Sequence, residues 1–179
     1  MKREIYTPLY EKLKKQERDL KQFPFPPSGS SFVNQLYYDW VQNEMKSIFL
    51  ELPKKFNKQM EKLLLKIEEY KQIREKTHIS ATAILNGELA ANNLPRCENE
   101  NVGYYLSQDI LNRIDKNSYR KFIPKDTDEE IINKINLNVW EKASADSSFV
   151  QTQEKYENFL SVQKETIEML ERMVRKIQG

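Results

Sequence analysis

The chain has 179 residues, 39% hydrophobic and 31% charged, with a net charge of +2. That length supports one domain of ordinary size without covalent staples, and the single cysteine, Cys97, excludes an intramolecular disulfide and fits a reducing compartment. No apolar run reaches the roughly 18–20 residues of a membrane span, so a cytoplasmic protein with no membrane partner is expected, and four glycines leave few of the tight turns that antiparallel sheets need.

Residues 1–22 read as a basic amphipathic arm. Ile5, Tyr6, Leu9, Tyr10 and Leu13 recur at helical spacing beside Lys12, Lys14, Lys15 and Arg18. The basic start lacks the apolar middle region of a signal peptide. Residues 23–31 follow as a linker rich in Pro and Ser. Pro24, Phe25, Pro26 and Pro27 have the form of a Pro-rich ligand, but Phe23 and Phe25 call for burial, so the stretch reads as punctuation before the next helix. Set apart by that linker, the arm's stripe is a candidate protein-binding surface that can clasp the bundle, swap into a second copy or dock elsewhere.

Residues 32–179 read as a helical bundle domain. Val33, Leu36, Tyr37, Trp40, Val41, Met45, Ile48 and Leu52 mark one helical stripe, and Phe56, Met60, Leu63, Ile67 and Tyr70 continue it. Pro53 falls between them and is expected to kink one long helix over 32–76, because proline removes a hydrogen bond and clashes with the preceding turn. In 77–95 the Ala, Leu and Glu favour helix, but Asn86-Gly87 has the chemistry of a turn. Two short helical turns or a frayed helix are expected there, followed by a loop from Arg96. Residues 104–115 read as a short helix, and Thr127 with Glu130 three residues later matches a capping box opening another. The last helix carries the clearest pattern. Phe149, Gln153, Tyr156, Leu160, Gln163, Ile167, Leu170, Val174 and Ile177 alternate steps of four and three, widened by Phe159, Val162 and Met173. The expected fold is all-α: an elongated bundle of about five or six helices with a long C-terminal amphipathic helix.

Charge is unevenly spread. Residues 54–76 hold eight Lys or Arg against four Glu, whereas 126–179 hold eleven acids against seven bases, a pattern expected of a basic helix packed beside an acidic one. Residues 112–125 interleave Arg113, Lys116, Arg120, Lys121 and Lys125 with Tyr119 and Phe122. Cations that hold phosphates beside rings that stack on bases make this a candidate nucleic-acid contact. The simpler alternative is a connecting loop whose rings anchor it and whose cations stay in water.

Catalytic features are sparse. His78 is the only histidine, and Glu75 gives it the Glu-x-x-His spacing of di-iron bundles, but such a site needs the motif twice. His78, Cys97 and carboxylates lack any recognised zinc spacing, and no phosphate-binding glycine loop is present. No cofactor and no metal are expected, and nothing in the sequence argues for catalysis. These readings favour a non-enzymatic protein-interaction module that binds or inhibits another protein. A nucleic-acid binder built on 112–125 is the alternative, and an enzyme centred on His78 and Cys97 is the third. The Lys, Ile and Asn richness suggests an AT-rich bacterial or phage genome. Gln153 and Gln163, polar at seam positions, lead to the expectation of a homodimer.

Overall fold

The computed structural model describes residues 2–27, 52–114 and 118–178. Among them the chain forms five α-helices and one 3₁₀ helix, with no strand: α1 (Lys2–Gln22), α2 (Lys54–Ala91), α3 (Val102–Leu111), the 3₁₀ helix (Ser118–Phe122), α4 (Glu129–Ala145) and α5 (Ser147–Gln178). The fold is an all-α bundle with a long C-terminal helix. It divides into two compact units, Met1–Lys71 with Lys155–Gly179, and Gln72–Glu154. The stripe over 32–51, Trp40 and the proposed kink lie outside the described residues. Pro53 stands immediately before α2.

In the first unit, α1, the start of α2 and the end of α5 bury their apolar stripes together. Ile5, Tyr6, Leu9, Leu13 and Leu20 of α1 meet Phe56, Met60, Leu63, Ile67 and Tyr70 of α2 and Tyr156, Phe159, Val162, Ile167 and Leu170 of α5. Steps of three and four keep each set on one helical face. Aromatic pairs fix the contact, with Tyr6 against Phe56 (centroids 5.2 Å apart) and Tyr70 against Tyr156 (5.4 Å). Burial pushes the Tyr156 hydroxyl up to about 12. One polar layer interrupts the core: Gln163 Nε2 donates to Gln16 Oε1 at 2.7 Å, both nearly fully buried. The seam glutamine therefore sets register between α1 and α5 of the same chain. The proline stretch closes this unit. Phe25 packs on Tyr156, and the Tyr70 hydroxyl donates to the Pro26 carbonyl. Phe23 is exposed.

The second unit contains the later part of α2, then α3, the 3₁₀ helix, α4 and the start of α5. In place of the two short turns or frayed helix expected over 77–95, residues 77–91 continue α2 without a break. Thr77, Ala81, Leu85 and Leu89 repeat every four residues and are fully buried, which keeps this stretch helical through Asn86 and Gly87. The turn comes later, where Asn93 adopts φ 55°. There Leu94 N–H donates to Leu89 O and Asn93 N–H to Ala90 O, the two bonds of a Schellman cap. At the start of α4 the cap is Asp128, one residue beyond Thr127, and its carboxylate accepts from Glu130 N–H.

Candidate protein-binding groove

α3 is held against α2 by a close approach and a buried cation. Gly103 lies so near the backbone of His78 that a β-carbon there would fall 2.3 Å from the His78 carbonyl oxygen. The neighbouring Tyr104 ring stacks on His78 at 3.7 Å, and its hydroxyl donates to Glu75. Arg74 is fully buried, donating to Ser107 Oγ at 2.8 Å and Gln108 Oε1 at 3.1 Å. Ile110 and Leu111 follow one and two turns along the same buried side of α3, and the helix closes with a second Schellman cap: Ile114 N–H donates to Asp109 O and Arg113 N–H to Ile110 O. This cap puts Arg113 in the left-handed region, φ 53°, where glycine is usual.

α4 and α5 meet at a one-residue corner. Asp146 ends one helix and caps the next, accepting from Ser148 N–H at 2.8 Å and from Ser80 Oγ of α2 at 2.7 Å. Burial alone would raise its carboxyl, but the hydrogen bonds from Ser148 and Ser80 hold it below the ordinary aspartate range. Glu88 of α2 ties down α4 similarly, accepting from Asn138 and Lys142. Those bonds outweigh its desolvation and keep it ionised.

Between α3, α4 and the start of α5 lies an open groove of about 440 Å³. Ile110 and Leu111 form one wall, Trp140 and Ser144 another, and Phe149, Val150 and Gln153 the third, with Arg113 at the edge. Trp140 is half-buried, and Val150 is 56% exposed. Leu137, one turn before Trp140 on α4, is also exposed, so apolar surface continues along the helix. Arg113 is the one charged residue in the lining and is exposed, with no hydrogen bond from its guanidinium and no ion pair among the described residues.

The candidate binding residues named from the sequence fall elsewhere, Arg113 excepted, while Phe149 and Gln153 of the seam line the groove. Ile5, Tyr6, Leu9 and Leu13 are buried in the first unit's core, with Tyr10 half-buried against it, so the arm's stripe packs on its own chain. Lys116 lies outside the described residues. Tyr119 is 1% exposed and donates its hydroxyl to Asn136, and is thus unavailable for stacking on a base. Arg120 pairs with Glu129, Lys121 sits over the Tyr105 and Phe122 rings, and Lys125 is exposed. His78 and Cys97 have different neighbours: His78 packs on Tyr104, while the Cys97 N–H donates to Asn86. Among the described residues no group of three His, Cys, Asp or Glu side chains is placed to hold a metal, and no helix is long and apolar enough to cross a membrane. Sequence reasoning missed Trp140 and Val150. The available signal was Val150 itself, an apolar residue standing off the seam of its helix. Comparison with known protein families, curated proteins and solved structures gave no match.

Proposed function

We propose that this protein is a non-enzymatic interaction module that docks a partner protein through the groove around Trp140. The observation that carries this reading is the open groove itself, lined by apolar side chains with some polar ones and walled by three helices, with a half-buried tryptophan and an arginine at its edge. Trp and Arg are the side chains most often found to dominate binding energy at protein interfaces, where they work in pockets sheltered from water. The basic segment 112–125 offers less to nucleic acid, because Tyr119 is buried and Arg120 and Lys121 engage neighbours in the chain.

A photo-activatable residue at Val150, inside the native host, tests the proposal. One predominant protein adduct is expected, absent from the same probe at exposed Leu65 and lost on adding Trp140→Ala. Equal adduct patterns at the two positions, or adducts only to nucleic acid, would overturn it.

A further inference from the structure

Resting on that reading, we propose the chemistry of the partner: the groove receives a protein segment in which an acidic side chain pairs with Arg113 while a neighbouring large apolar side chain packs beside Trp140. The first argument is charge. Among the described residues lining the groove there is no carboxylate, and Arg113 is the one cation. A cation exposed at the edge of an apolar surface favours an occupant that is apolar with one negative group, since the pair then forms partly sheltered from water.

The second argument is position. Arg113 occupies the capping site that glycine fills without strain, at φ 53°. The equivalent turn after α2 uses Asn93, a residue that tolerates this conformation better. An arginine here offers the helix C-terminus a favourable charge but carries a backbone strain that glycine avoids, and its guanidinium makes no hydrogen bond or ion pair among the described residues, which leaves it placed to meet an occupant of the groove. Size and openness supply the third argument. A space of about 440 Å³ takes one or two large side chains, and the apolar surface running on to Leu137 suits an occupant extending past the groove. Ser144 and Gln153 stand in the lining as hydrogen-bonding groups for the occupant's polar atoms.

The test selects short random peptides in a displayed library on the full-length chain, with the Trp140 indole N–H resonance as the readout of site and Trp140→Phe to assign it. Enriched peptides are expected to carry Asp or Glu within one turn of Leu, Ile, Phe or Trp and to shift that resonance. Arg113→Gly should weaken them roughly tenfold at low salt, the worth of a charge-assisted hydrogen bond, with a smaller difference at high salt. The same variant should melt at a higher temperature, which separates lost binding from lost fold. Selection on Arg113→Glu should enrich Lys and Arg instead. Peptides that shift Trp140 but bind Arg113→Gly equally well would overturn the acidic-partner proposal and leave the groove intact. If no selected peptide shifts Trp140, or only a free aliphatic carboxylate such as decanoate does, both readings fall.

Discussion

Two glycines in helices should respond to alanine with opposite signs. At Gly103 a β-carbon would lie 2.2 Å from Thr82 Oγ1, 2.3 Å from the His78 carbonyl oxygen and 2.9 Å from His78 Nδ1. The threonine hydroxyl can rotate away, but the carbonyl belongs to the α2 backbone. α3 must therefore retreat by roughly 1 Å to reach ordinary contact. Overpacking of this kind costs about 1–3 kcal/mol, against which alanine's helix preference returns up to about 1 kcal/mol. Gly103→Ala should thus destabilise the second unit by about 1–2 kcal/mol. Gly87 is also helical, but a β-carbon there meets nothing within 4 Å, so Gly87→Ala should stabilise by about 0.5–1 kcal/mol. Urea denaturation at constant m-value measures both, and hydrogen exchange at the α3 amides localises the first. A Gly103→Ala chain as stable as the parent would show that α2 and α3 do not approach as described, and the placement of Ile110 and Arg113 would fall with it.

Four other perturbations probe the same unit. Burial holds His78 below its ordinary value of 6.5 against the opposing charge of Glu75, with Arg74 adding a smaller push in the same direction as burial. The unfolded chain therefore takes up the proton first, and stability present above that pH is lost as pH falls through the folded value. Thermal melts should show this loss in the parent and not in His78→Phe, which keeps the ring and cannot titrate. Asp146 is depressed in the folded chain, so its contribution is present above the ordinary aspartate value and disappears as pH falls through the lower folded one. Asp146→Ala should cost about 0.5–2 kcal/mol at neutral pH, as for other lost helix caps, and melts below pH 4 should show the two chains converging. Arg74→Ala should cost about 2–4 kcal/mol by urea denaturation, because Ser107 and Gln108 lose a charged donor inside the core. Arg120→Ala, at an exposed ion pair, should cost less than about 1 kcal/mol.

The long-range architecture was legible where hydrophobic period dominates. The seam from Phe149 to Val174 describes α5 well, and the stripe from Phe56 to Tyr70 describes the start of α2. The period fails to show which partner each stretch meets, so one seam serves two units: Phe149 packs in the second and Tyr156 in the first. Local chemistry misled at Asn86-Gly87. Burial of Ala81, Leu85 and Leu89 outweighs a single exposed glycine, whose cost in a helix is only about 1 kcal/mol. The cap fell one residue late because Thr127 and Asp128 both suit the role and only backbone geometry chooses between them. The groove was not legible. It needs Ile110, Trp140 and Phe149 from three elements, and Arg113 enters it through a left-handed turn that nothing in the residue type announces.

A groove of this kind holds its shape only if each wall is fixed independently of the occupant, because an interface that must first order its side chains and loops loses affinity in doing so. Each wall here has its own lock. α3 is set by the close approach at Gly103 and by Arg74, whose planar guanidinium bonds two residues one apart on that helix. α4 is set by Glu88, which accepts from Asn138 and Lys142 four residues later. The α4–α5 corner is set by Asp146, which bonds both the next helix and Ser80. All three locks end on α2, between Arg74 and Glu88, so that stretch of helix acts as the common frame. This accounts for polar and charged groups in a region where apolar packing alone would give comparable stability. Leucines fill space, but they leave neighbouring helices free to slide along one another. Directional bonds from one frame to three walls fix their mutual positions, and recognition through a preformed groove requires fixed positions more than it requires extra stability.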